Sequence, residues 1–248
     1  MSYSISQAVR ELAEPKLAEF TAKLLPTVDP AQILGVRTPA LRKLAKKLLR
    51  EHPQEVTDFL AAAPHDFQEE DLLHVLLLNE ERDFATWHTE ITGFLPYMTN
   101  WTLTDAVSPA CVKGGNADNL PQLERACLDW LVDDRVYVQR LGAVVLMSLL
   151  GTESFSPEHL QAVAALAGSE EYYVRVAVAW YFAEALARQE TAALPWFALA
   201  NSPGSTDSPG LPTVTLRMAI TKAIESRRIS DELKTKLRQI RSTLPRRS

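Results

Sequence analysis

Four residues whose types and spacing could do chemistry stand near the middle of the 248-residue chain: Trp101, Asp105, Arg140 and Trp180. Trp101 and Asp105 are four positions apart, so a helix places an indole and a carboxylate on one face. The run Tyr137-Val138-Gln139-Arg140-Leu141-Gly142-Ala143-Val144 echoes Tyr173-Val174-Arg175-Val176-Ala177-Val178-Ala179-Trp180 at an offset of 173 − 137 = 36. Under that offset Arg140 aligns with Val176, and Trp180 lies one turn beyond Val176 on the same face. Arg140 and Trp180 are therefore expected to point to the same side from neighbouring helices. If the Trp101 helix is the corresponding one in the preceding repeat, two indoles, a carboxylate and a guanidinium converge on a concave surface. Indole faces attract cations, and a guanidinium grips oxyanions bidentately. The structural alternatives are plain. Tryptophans at helical spacing often belong to a core, Asp105 could serve a helix dipole, and Arg140 could pair with Asp133 or Asp134.

The elements that must position these residues are helical. In Pro39–Arg50, Leu41, Leu44, Ala45, Leu48 and Leu49 share one face, and Arg42, Lys43, Lys46, Lys47 and Arg50 share the other. Thr38 is expected to cap this helix, with Pro39 at its first position. Similar patterns predict helices over roughly 5–24 (interrupted at Pro15), 53–62, 68–80, 83–95, 101–112, 121–132, 135–150, 157–167, 171–188, 191–200, 212–226 and 230–242. Pro53, Pro64, Gly114-Gly115, Gly151 and Gly168 separate them. No alternating strand pattern appears, so the expected class is all-α. A second echo, Leu216–Ile220 on Val174–Val178, is offset by 216 − 174 = 42. Offsets near 40 between amphipathic helices predict a curved α-solenoid of HEAT-like helical pairs, each burying its apolar face on the next. One continuous domain over 1–248 is expected, with Asn201–Gly210 as a flexible surface loop.

Charge is unevenly placed. The net charge is −5, yet residues 31–50 hold six basic residues and no acidic one. Residues 51–92 hold eleven acidic residues and only Arg82, and residues 216–248 hold ten basic and three acidic. Two basic segments flanking an acidic one can mark a binding face, or can simply be solvated charge. Cys111 and Cys127 lack CxxC spacing and read as buried thiols. The five histidines are scattered, so neither a metal nor a cofactor is expected. No long apolar run and no secretory pattern appear, which predicts a cytoplasmic protein that does not engage the membrane.

Four motifs carry a resemblance. Asn100-Trp101-Thr102-Leu103-Thr104-Asp105 resembles the Trp-x-x-x-Asp motif of the AlkD-like DNA alkylation repair family. Tyr137–Arg140 resembles its catalytic-arginine helix, and Tyr172–Trp180 its second tryptophan helix. Ile33-Leu34-Gly35-Val36-Arg37-Thr38-Pro39 resembles the segment that leads into its first basic helix. The likeness spans about 10–242. The short stretch before Ile33 resembles a branch of the family that lacks an additional N-terminal DNA-binding helix. The resemblance implies excision of cationic N3- and N7-alkylated purines from duplex DNA by a monomer. It implies that Asp105 stabilises a developing sugar cation, that Trp101 and Trp180 pack on the sugar, and that Arg140 binds a phosphate. Arg37, Arg42, Lys43, Lys46, Lys47, Arg175 and Arg217 are the implied DNA contacts. A non-catalytic scaffold that binds DNA or a protein on its concave face is the alternative.

Overall fold

The computed structural model describes residues 3–113, 117–199 and 209–245. These are helical throughout, with no strand among them and one isolated bridge between Leu199 and Leu211. Of the segment expected to be a loop, 201–208 lies outside the described residues, as does Gly114-Gly115. The chain divides into two compact units, Met1–Asn119 and Leu120–Ser248.

The first unit contains α1 (Ile5–Arg10), α2 (Pro15–Leu24), α3 (Thr38–Glu51), α4 (Pro53–Ala61), α5 (Gln68–Leu78), α6 (Phe84–Phe94) and α7 (Trp101–Ala106). Its axis is α5, which packs against α1, α3, α6 and α7. A helix contacted on several sides must be apolar nearly all round, and Leu72 to Leu78 of α5 are all buried. On α3 the stripe Leu41, Leu44, Ala45 and Leu48 is buried, as its spacing requires. Leu49 falls at the edge of that stripe and is 37% exposed. Thr38 does not cap α3. It is already helical, Arg37 occupies the cap position, and no side-chain cap bond forms. Pro39 in the first turn has no N–H for a cap to receive.

The interval 101–112 is not one helix. It stops at Ala106 and resumes as a 3-10 turn over Ala110–Val112. Buried Asn79, at the end of α5, enforces the break. Its side chain donates to the Ala106 carbonyl (2.8 Å) and accepts from the Ser108 amide (2.7 Å), and its carbonyl accepts from the Ala110 amide (2.7 Å). These bonds satisfy groups that a continuing helix would have used.

A polar knot lies under α4 and α5. His65 Nε2 meets His74 Nδ1 at 3.0 Å. His65 stacks on Phe59, and His74 stacks on Phe94. Burial pushes both imidazoles down, to about 4 for His65 and about 3 for His74. Burial pushes the neighbouring Asp71 up, to about 7. The two effects oppose each other in pH. A histidine whose folded value is depressed favours the fold above about 6.5 and loses that contribution as pH falls toward the folded value. A carboxyl whose folded value is raised favours the fold at low pH and loses that contribution as pH rises toward 7. Together the two imidazoles should set a slope of up to about 2.8 kcal/mol per pH unit below 6.5, which outweighs the opposing slope of up to about 1.4 kcal/mol per pH unit from Asp71. Urea unfolding from pH 7 to 5 should show stability falling in the wild type. The loss should be clearly smaller in a His65→Gln/His74→Gln double variant, and an equal slope in both would contradict it.

The second unit contains α8 (Leu120–Leu131), α9 (Val136–Leu146), α10 (Pro157–Ala164), α11 (Tyr172–Arg188), α12 (Glu190–Ala193), α13 (Thr213–Glu225) and α14 (Asp231–Thr243). Here α11 is central and packs against both α9 and α13. The sequence echoes of 36 and 42 residues therefore join helices that are neighbours in space. The register is visible in the rings of Tyr137 and Tyr173, which meet at 5.8 Å. The helix expected over 135–150 ends at Leu146 and tightens to 3-10 over Met147–Gly151. The helix expected over 191–200 is a single α-turn followed by 3-10 Leu194–Trp196, where Pro195 prevents continuation. Cys111 and Cys127 are both buried. No helix is long and apolar enough to cross a membrane among the described residues.

Candidate functional site

In the first unit the site begins at the start of α7. Asn100, 1% exposed, caps the helix: its Oδ1 accepts from the Thr102 amide at 3.0 Å and from the Thr102 hydroxyl at 2.6 Å. Its Nδ2 donates to Gln68 Oε1 at 2.9 Å, and Gln68 Nε2 donates back to the Thr102 hydroxyl at 2.6 Å. This closed triangle bolts the first turn of α7 to the first turn of α5. Trp101 and Asp105 project from the helix so fixed, and both are half-buried. The Trp101 indole N–H donates to the Leu24 carbonyl at 3.1 Å, which sets the plane of the ring. The single proton of the Thr104 hydroxyl is shared between the Trp101 carbonyl, at 3.1 Å, and Asp105 Oδ1, at 3.2 Å. A carboxylate with a fixed oxygen beside an oriented indole can meet a positive charge without first reorganising.

The Ile33–Pro39 motif has a physical basis. Gly35 sits at φ +76°, and a Cβ there would strike the Ala18 backbone and lie 2.5 Å from the Glu14 carbonyl oxygen. Only glycine fits. The amides of Leu34, Gly35 and Val36 all donate to the carboxylate of Glu69, at 2.9, 2.7 and 3.3 Å. Glu69 is 3% exposed. It belongs to the acidic stretch, yet it serves buried backbone rather than solvent. Arg37 forms a bidentate pair with Glu14, at 2.8 and 2.9 Å, on the surface. That guanidinium holds the Glu14 carboxyl below its usual range. Beyond it, α3 presents Arg42, Lys43, Lys46 and Lys47, all exposed. Lys47 approaches Glu51 at 4.0 Å, and the other three form no ion pair among the described residues.

In the second unit Arg140 is 3% exposed, and its Nη1 donates to the Tyr173 carbonyl at 2.9 Å. Asp133 is engaged by Arg135 through two bonds, at 2.9 and 2.8 Å. Trp180, half-buried on α11, carries the Lys222 ammonium 5.9 Å from its ring centroid. Arg175 donates to the Ser169 carbonyl at 2.5 Å. Arg217 donates to the carbonyls of Leu244 and Pro245 at 2.9 and 2.7 Å. Lys222 was not among the residues expected at a site. The repeat holds the signal for it, because 222 − 180 = 42 is the offset that also pairs Leu216 with Val174. Asn100 likewise carried a legible signal, a capping residue directly before a helical Trp-x-x-x-Asp. Gln68 carried none.

Among the described residues no group of three or more His, Cys, Asp or Glu side chains could hold a metal ion. Comparison with curated proteins returns no match. A family model described as DNA alkylation repair enzyme matches residues 5–223, and the chain belongs to that family.

Proposed function

We propose that the protein is a DNA-repair N-glycosylase that excises cationic N3- and N7-alkylated purines from duplex DNA. The observation that carries this reading is the Trp101–Asp105 pair on α7, oriented by the Gln68–Asn100–Thr102 triangle, in a chain of a DNA alkylation repair family. An alkylated purine with a positive ring is a good leaving group. When the glycosidic bond breaks, the electron pair goes to the base and neutralises it, and the sugar becomes an oxocarbenium ion. Asp105 stabilises that ion and orients the water that captures it. Trp101 offers a π face to that positive charge, and Trp180 in the second unit is a further face of the kind that attracts a cation. Arg140 is the residue proposed to hold a phosphate of the duplex. The repeat-related helices α9, α11 and α13 of the second unit support a HEAT-like repeat; that the protein is one such domain and works as a cytoplasmic monomer is part of the proposal.

Single-turnover release of 7-methylguanine and 3-methyladenine from methylated duplex tests the reading directly. Release above the spontaneous rate supports it, and no release of either base refutes it. In the latter case the exposed cations of α3 would favour a scaffold that binds DNA without cutting it. Binding itself should be electrostatic. Log affinity for undamaged duplex should fall linearly with log salt, with a slope of about −0.9 for each phosphate neutralised. A Lys43→Gln/Lys46→Gln/Lys47→Gln triple variant should flatten that slope and weaken all sequences alike, because phosphate contacts carry no sequence information. Salt-insensitive binding would contradict a DNA partner.

A further inference from the structure

The second unit holds a groove of about 650 Å³ whose lining includes Tyr172, Arg217, Met218, Lys222, Glu225 and Arg241. Its lining carries three cations against one carboxylate. Arg217 is anchored there through the Leu244 and Pro245 carbonyls. Lys222 makes no ion pair among the described residues, and its ammonium lies over Trp180 instead. One lysine therefore belongs to two places at once: it lines a cationic groove, and it covers an indole.

We propose that this groove is a phosphodiester site and that Lys222 couples its occupancy to Trp180. The proposal rests on the reading of Trp180 as a face for a cationic lesion. An ammonium over that ring occupies the position that the lesion's own charge requires, and two cations cannot share it. A phosphate in the groove offers Lys222 a full negative charge in place of a ring quadrupole. The side chain is long and flexible enough to change partners without moving α13. Empty, the groove leaves Trp180 covered; filled, it uncovers the ring. The coupling is reciprocal, so a cation brought onto Trp180 strengthens anion binding in the groove.

The indole N–H resonances of the full chain report this directly, with Trp180 assigned by the loss of its peak in Trp180→Phe. Titration with inorganic pyrophosphate should move the Trp180 resonance in the wild type. In Lys222→Met the resonance should begin near the wild-type end point and stay there. In Arg241→Gln it should begin at the wild-type position and need more pyrophosphate to move. A Trp180 resonance that ignores pyrophosphate in the wild type, or that moves equally in Lys222→Met, overturns the proposal. An undamaged duplex separates this from the glycosylase reading. If pyrophosphate moves Trp180 through Lys222 but no duplex binds, the coupling stands and the DNA reading falls. If the duplex binds and shifts Trp180 identically in Lys222→Met, the DNA reading stands and the coupling falls.

Discussion

Asp105→Asn should slow release of a cationic base by roughly 100- to 1000-fold, the loss typical of removing one preorganised electrostatic group. Asparagine keeps the shape of the side chain and can still accept from the Thr104 hydroxyl, which lies 3.2 Å from Asp105 Oδ1. What it lacks is charge. A carboxylate faces a developing sugar cation with a full negative charge, and an amide faces it with a dipole. The deficit appears only as the bond breaks, so it lowers the rate and spares ground-state binding. Affinity for damaged duplex should stay equal or rise, because a negative charge near the phosphates has gone. Single-turnover 7-methylguanine release beside a binding titration of the same duplex measures both. An active wild type matched in rate by Asp105→Asn would make Asp105 structural. A parallel loss of binding and rate would make it a binding residue.

The second large effect is on stability. Glu69→Ala should destabilise the protein by about 3–5 kcal/mol, because a buried charge-assisted acceptor of several hydrogen bonds disappears at once. Three amides, those of Leu34, Gly35 and Val36, lose their acceptor. The backbone cannot turn to find others, since Gly35 is wedged against Ala18 at φ +76° and its carbonyl accepts from the Glu14 amide at 2.9 Å. The exposed Glu90, changed to alanine, should alter stability by less than about 0.5 kcal/mol. Urea denaturation followed by circular dichroism compares the two. A Glu69→Ala protein within 1 kcal/mol of wild type would mean that water replaces the carboxylate and that the loop is held by packing.

Glu69 also shows where sequence reasoning stops. Eleven acidic residues between 51 and 92 read as one solvent-facing stretch, yet Glu69 and Glu70 are 3% and 2% exposed. Their partners are backbone amides, and amides have no signature in a sequence. The Asn79 clamp that ends α7 escapes for the same reason: its bonds to Ala106 and Ser108 reach across 27 and 29 residues. Periodic features were legible. The buried stripe of α3 follows from the spacing of its leucines. The pairing of α9 with α11 follows from the 36-residue echo, confirmed by the Tyr137–Tyr173 contact. The i, i+4 placement of Trp101 and Asp105 needed only that α7 be a helix. Its short length, and the triangle that fixes it, needed the fold.

The bond from the Trp101 indole to the Leu24 carbonyl bridges 77 positions of chain. The Thr27 hydroxyl donates to the Thr99 carbonyl across 72 positions. Elsewhere successive helices meet directly: α3 with α4 and α5 with α6 in the first unit, and α8 with α9 and α13 with α14 in the second. Contacts between successive helices form early and cheaply, whereas closing a long loop costs entropy before any contact offsets it. At the near end of that loop, α2 has no fully buried residue to anchor it, and Phe20 is 57% exposed. The orientation of Trp101 is thus expected to form late in folding and to be lost early if α2 detaches. Catalytic competence would lag behind the recovery of helical signal during refolding, and it would fade on warming before the helices themselves melt.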